Sequence, residues 1–77
     1  MRGDWELQQN FSRNIKIIMK ERGLSYRALA EMVDIPFSTL YNYINLKREI
    51  HSDALEQIAS KLDKTPGWLT SSHEDKL

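Results

Sequence analysis

The sequence predicts an all-α fold, a compact bundle of five short helices. Apolar residues recur three or four positions apart along most of the chain, and no stretch alternates as a half-buried strand would. Residues that begin or end helices lie between these stretches and leave connections of normal length for packed helices. The 77 residues are enough for one domain, and their apolar share of 40% is enough for a modest core.

The first two helices are defined by their apolar residues and by the glycine and serine between them. The first carries a stripe at steps of four, four and three residues, made of Leu7, Phe11, Ile15 and Ile18. Gly23 is placed to end it, because glycine adopts a left-handed backbone without steric cost. Ser25 can cap the second helix, whose apolar residues are Leu29, Met32 and Val33.

Asp34 and Pro36 separate the second helix from the third. Proline disfavours a helical conformation just before it, so the second helix should stop near Val33. Asp34 is expected to adopt the left-handed conformation, which aspartate tolerates better than most residues. The third helix then runs from about Pro36 to Ile44, starting at Pro36 or Phe37, with proline suited to the first turn. Its inward face consists of Leu40, Tyr43 and Ile44.

A polar loop, residues 45–49, precedes the last two helices. His51 or Ser52 caps the fourth helix, whose stripe is formed by Leu55, Ile58, Ala59 and Leu62. Thr65 caps a short fifth helix that has Pro66 in its first position.

The second and third helices together predict a helix-turn-helix unit. Ala30 is small enough for the two helices to cross closely, and Ile35 fills the corner between them. Leu40 and Tyr43 then fix a crossing angle of about 90–120°. With these residues inward, the helical wheel turns five side chains outward: Phe37, Ser38, Tyr41, Asn42 and Asn45.

Charge is unevenly distributed although the net charge is zero. Residues 11–48 carry seven cations and three anions, whereas residues 49–77 carry three cations and six anions. This asymmetry permits a surface that faces phosphate but is equally typical of an ordinary solvated surface.

Several classes of site and location are excluded or disfavoured by composition. The chain has no cysteine and two histidines, so we expect no disulfide, no metal centre and no cofactor. No nucleophile and base lie at usable spacing and no phosphate loop is present, so we expect neither an enzyme nor a small-molecule site. No apolar run reaches the roughly 18–20 residues of a membrane span, and we expect a cytoplasmic protein.

A set of spaced positions carries a resemblance to a known family. The matching residues are Gly23, Leu24, Ser25, Leu29, Ala30, Ile35, Ser38, Thr39, Leu40, Leu55, Ile58, Ala59 and Leu62, followed by the segment Thr65–Leu69. Over about residues 11–69 the chain resembles phage repressors of the Cro/C1 type, the XRE-like helix-turn-helix family. The resemblance implies a lambda-repressor-like fold and a transcriptional regulator, a repressor of phage or prophage type, that binds a palindromic operator in double-stranded DNA as a homodimer.

Two departures from the family pattern bear on base recognition. Asp34 stands where the family usually has glycine, which predicts a slightly strained turn. Tyr26 and Phe37 stand where the family often has glutamine. Phe37 cannot form the bidentate hydrogen bond that glutamine makes to adenine, so it would contact a thymine methyl group or pack on the sugar edge.

The resemblance assigns roles to the outward residues by position. The residues expected to contact bases are Phe37, Ser38, Tyr41 and Asn42. The residues expected to contact phosphates are Tyr26, Arg27, Asn45, Lys47, Arg48 and Arg13. Asn42 is the strongest hydrogen-bonding discriminator among the first group.

Alternatives remain open for the tail, the last helix and the function. We assign residues 1–70 to the domain and residues 71–77 to a polar tail, or to the linker of a larger repressor. Trp68 and Leu69 either close the core or form a dimer face. The alternative function is a helical protein-interaction module, antitoxin-like or antirepressor-like, with Phe37 and Tyr41 as hydrophobic anchors and little or no DNA binding.

Overall fold

The protein folds as five helices, as the sequence predicts. A computed structural model describes residues 2–73, with side chains from residue 5 onward, and within that part of the chain there is no strand. The helices are α1 (Arg2–Arg22), α2 (Tyr26–Val33), α3 (Phe37–Ile44), α4 (Ser52–Lys61) and α5 (Pro66–Leu69). The end of the predicted tail, residues 74–77, lies outside the described residues.

Local capping chemistry explains where α2 and α5 begin. The Ser25 hydroxyl accepts a hydrogen bond from the Ala28 amide at 3.0 Å, and the Thr65 hydroxyl accepts one from the Trp68 amide at 3.0 Å. Each bond satisfies an N–H group that the first helical turn leaves without a partner. Both predicted caps are therefore confirmed, whereas His51 precedes α4 without a side-chain cap bond.

The backbone conformation at the helix ends agrees with the sequence signals, except that Pro36 precedes α3 and is not part of it. Gly23 has a φ of 65° and Asp34 a φ of 62°, so both end their helices in the left-handed region as predicted. Pro36 has an extended ψ of 143° and lies before the first turn of α3, which begins at Phe37 rather than at Pro36. Leu46, just after α3, also has a positive φ of 62°, which the neighbouring residues do not predict.

One apolar core joins all five helices. It contains the predicted residues Phe11, Ile15, Ile18, Leu29, Ala30, Val33, Leu40, Tyr43, Ile44, Ile58, Ala59 and Leu62, and also Ile50 and Ala54. Leu7 and Leu55 are only half-buried. Met32 was expected to share the apolar face of α2, but its side chain is 39% exposed. Because residues 29, 30 and 33 already fill the buried arc of this short helix, position 32 falls on its outer side.

Leu69 closes the core. Its side chain is fully buried, so it has no surface to offer a second molecule. Trp68 is half-buried and packs against the edge of the core. Its ring stacks on the His73 ring with centroids 4.3 Å apart, and the Lys64 ammonium nitrogen lies 4.3 Å from the centre of the Trp68 ring. Residues just past position 70 therefore still contact the folded body.

Three polar residues of α1 are buried among these apolar side chains: Gln8, Ser12 and Asn14. The Asn14 amide nitrogen donates to the carbonyl oxygens of Trp68, Leu69 and Ser71 at 3.2, 2.8 and 2.8 Å. Its two protons thus serve three backbone acceptors at the end of α5, which is too short to satisfy them itself. Nearby, the Asn10 amide donates to the Thr70 carbonyl at 3.0 Å.

Replacing Asn14 by alanine should lower the free energy of unfolding by about 1–3 kcal/mol, because buried carbonyl oxygens at the end of α5 lose their donor. The matched change Asn10→Ala removes one bond from a half-buried site and should cost less. Urea denaturation followed by circular dichroism measures both. A loss at Asn14 no greater than that at Asn10 would contradict this role.

Candidate nucleic-acid interface

Helices α2 and α3 form the predicted helix-turn-helix unit. Leu29, Ala30 and Val33 on α2 are buried against the inward residues Leu40 and Ile44 of α3. Between the helices, the Ile35 amide donates to the Ala30 carbonyl at 3.1 Å and its side chain packs half-buried against the core. The corner position and the small residue at the crossing are as the sequence predicts.

Gln57, on α4, holds the turn between α2 and α3 from outside. Its amide nitrogen donates to the carbonyl oxygens of Val33 and Asp34 at 2.8 and 2.9 Å. These acceptors lie at the end of α2, where no following helical turn can supply their donors. The sequence carries no signal for this role of Gln57, because a lone glutamine on the polar side of a helix does not point to a distant turn.

The other end of α3 is held by α1. The Ser12 hydroxyl donates to the Ile44 carbonyl, and Gln8 bonds Ile50 twice, accepting from its amide at 3.0 Å and donating to its carbonyl at 3.5 Å. The loop after α3 is therefore fixed at both of its ends. The sequence signal for these bonds is the spacing of Gln8 and Ser12, which are four residues apart and lie on the same side of α1 as Phe11 and Ile15.

The outer surface of the unit carries three neighbouring rings, which we call the aromatic cluster: Tyr26, Phe37 and Tyr41. The rings of Phe37 and Tyr41 are stacked with centroids 6.0 Å apart, and the Tyr26 ring meets Tyr41 edge-on at 5.2 Å. Phe37 nevertheless stays 41% exposed and Tyr41 38% exposed. The cluster is thus ordered by mutual contact while leaving apolar edges toward solvent.

The remaining candidates for base contact flank this cluster on α3. Ser38 is exposed and Asn42 is half-buried. Arg27, at the start of α2, places its guanidinium 5.3 Å from the centre of the Phe37 ring. The structure therefore brings all four predicted base-contacting residues onto one outer surface, with an arginine beside it.

The predicted phosphate contacts after α3 form a second group, in the loop that α1 supports. Asn45 uses its amide nitrogen to bond the Tyr41 carbonyl at 2.9 Å, so part of its hydrogen-bonding capacity serves the end of α3. Lys47 is exposed, and the exposed Arg48 has its guanidinium 5.9 Å from the Tyr43 ring. Arg13, on α1, lines a groove with Lys16 and Leu46, which places it beside the same loop.

Comparison with known families agrees with this geometry. Residues 15–69, most of the chain, match the helix-turn-helix family model for Cro/C1-type, XRE-like domains. The chain belongs to the Cro/C1-type helix-turn-helix family. No match to a curated protein or to a solved structure was found.

Membership of the Cro/C1-type family gives the general activity of the domain. Proteins of this family are transcription regulators that bind specific sequences in double-stranded DNA, and they are not typically enzymes. Among the described residues, none of the helices has the length and apolar character needed to cross a membrane.

Replacing Gln57 by alanine should lower the free energy of unfolding by roughly 1–2 kcal/mol, because two carbonyl oxygens at the helix-turn-helix corner lose a donor. Gln9→Ala, at an exposed position of α1, is the control and should change stability by less than about 0.5 kcal/mol. Thermal unfolding of both variants gives the comparison. Equal stabilities would show that Gln57 does not support the turn.

Proposed function

We propose that this domain is a repressor of phage or prophage type that inserts α3 into the major groove of a palindromic operator. The observation that carries the proposal is the outer face of α3, where exposed Phe37, Ser38 and Tyr41 lie beside Asn42. An α-helix fits the major groove, where each base pair presents a distinct pattern of donors, acceptors and methyl groups. Cations at the start of α2 and after α3 flank this face.

Base contacts made by α3 itself are apolar or come from an amide or a hydroxyl, because α3 contains no charged residue. The exposed ring edges of Phe37 and Tyr41 suit the methyl group of thymine. Asn42 can form the bidentate pair with the N6 and N7 atoms of adenine. Ser38 can bond either a base or the backbone.

Phosphate contacts supply most of the affinity in this proposal. At one end of α3 they come from Tyr26, and at the other from Asn45, Lys47, Arg48 and Arg13. Such contacts release counterions from DNA, so binding should weaken steeply as salt rises. They fix the register of the protein on the duplex without reading its sequence.

A homodimer would bind an operator long enough to be specific, because each copy contacts one half-site. One recognition helix reads few base pairs, and two-fold partners commonly contact half-sites about 34–36 Å apart on one side of the duplex. The described residues measure 30 × 27 × 19 Å, so two copies fit side by side at that spacing. Because Leu69 is buried, a dimer face at this end of the molecule would have to use Trp68 and other surface residues.

A second candidate is a protein-interaction module of antitoxin or antirepressor type, with little or no DNA binding. It is favoured by the exposed rings of Phe37 and Tyr41 and by the net charge of zero. The two functions differ in salt dependence, since phosphate contacts give a steep dependence and a hydrophobic protein interface gives little. Selection of bound sequences from a random duplex pool, followed by titration at several salt concentrations, separates them.

Replacing Asn42 by alanine should relax the base preference at one position of the selected site by about 1–3 kcal/mol, because the bidentate amide contact is lost. Titration of the selected duplex and its single-base variants measures this preference for both proteins. An unchanged ranking of the variants would contradict base contact by Asn42.

Replacing Lys47 by alanine should weaken binding to all duplexes alike and reduce the slope of log K against log salt by about 0.9, because one phosphate contact is lost. Lys61→Ala removes an exposed cation of α4 outside the proposed interface and should leave the slope unchanged. If both variants keep the parental slope, Lys47 does not contact phosphate.

A further inference from the structure

Arg27 differs from the other cations of the proposed interface in what surrounds it. Its guanidinium lies 5.3 Å from the centre of the Phe37 ring, within the range of an attractive cation–π contact. Among the described residues, no carboxylate oxygen lies within 4.0 Å of its nitrogen atoms. The guanidinium is therefore oriented by the ring, while its N–H donors are not consumed by an ion pair with these residues.

The electrostatic surroundings of Arg27 disfavour a phosphate as its partner. Arg27 lines an open groove together with Glu31, Asp34 and Phe37, so two carboxylates accompany one guanidinium there. A phosphate in this groove would meet two like charges, whereas Lys47 and Arg48 lie in a loop where cations prevail. A neutral acceptor, such as the edge of a base, avoids this repulsion.

The ring beneath the guanidinium has a defined position of its own. Phe37 is the first residue of α3 and is stacked on Tyr41, yet 41% of its surface stays exposed. Successive base pairs rise 3.4 Å along the duplex axis. The Arg27 guanidinium lies 5.3 Å from the centre of this ring, so the two groups are close enough to contact neighbouring base pairs.

We propose that Arg27 and Phe37 act as one reading unit for a guanine adjacent to a thymine in each half-site. Arg27 donates two hydrogen bonds to O6 and N7 of the guanine, and the exposed edge of Phe37 contacts the thymine 5-methyl group. Arg27 is then a specificity-determining residue rather than a phosphate contact. This inference rests on the proposed insertion of α3 into the major groove.

Base analogues in the DNA test the unit without altering the protein. In the duplex selected from a random pool, each thymine is replaced in turn by uracil, and each guanine by 7-deazaguanine, which lacks the N7 acceptor. At one position per half-site, uracil should weaken binding about 3- to 4-fold through loss of a buried methyl group. At an adjacent position, 7-deazaguanine should weaken it by at least about 5-fold.

Two substitutions assign these effects to the residues. Arg27→Ala should remove the sensitivity to 7-deazaguanine and leave the salt slope unchanged, whereas Phe37→Ala should remove the sensitivity to uracil. Lys47→Ala is the matched control, since it should keep both sensitivities while lowering the slope by about 0.9. Circular dichroism confirms that each variant is folded, as expected for changes at exposed side chains.

The inference fails if the two sensitive positions are not adjacent, or if no guanine in the site is sensitive to 7-deazaguanine. It also fails if Arg27→Ala lowers the salt slope by about 0.9 and weakens all duplexes alike, because Arg27 then contacts phosphate. Each of these results requires specific duplex binding and so leaves the proposed function intact. Failure of the pool selection to yield any preferred sequence would instead overturn both.

Discussion

Polar side chains of α1 that bond the ends of other helices are the contacts on which the remaining structure depends. Helices α2 and α3 have eight residues each, a length that is marginal alone in water. Ser12 and Gln8 bond the end of α3 and the loop beyond it, and Asn14 bonds the end of α5. The long first helix therefore supplies hydrogen-bond donors to carbonyl groups at the ends of α3 and α5.

Helix α3 is supported at both ends by residues of other helices. Gln57 of α4 bonds the turn before α3, and Ser12 of α1 bonds the last residue of α3. The apolar residues of α3 face the core, so its outer side chains contribute little to core packing. This division leaves the outer surface free to vary without altering the position of the helix.

Features of the fold that arise from neighbouring residues could be predicted from the sequence. Features that depend on how the helices pack together could not. The caps at Ser25 and Thr65 act within three residues, and the left-handed Asp34 follows from the proline two residues later. The bonds of Gln8 and Asn14 span 42 and more than 50 residues, so no local pattern identifies their partners. Adjacent Trp68 and Leu69 have similar apolar character, and only the tertiary contacts show which one is buried. The helical periodicity of α3 predicts that Phe37 and Tyr41 face outward. The position of Arg27 over Phe37 could not be predicted, because it depends on how α2 crosses α3.

A net charge of zero is compatible with a DNA-binding domain when affinity and sequence discrimination come from different residues. Non-specific binding is almost entirely electrostatic, so a neutral domain with few clustered cations should bind random DNA weakly. In the proposed complex, the cations of the loop after α3 position the domain on the backbone, and the uncharged face of α3 contacts the bases together with Arg27. The ratio of specific to non-specific affinity governs occupancy among many competing sites. In the proposed complex, that ratio would depend on the aromatic cluster, on Asn42 and on the arginine held over Phe37.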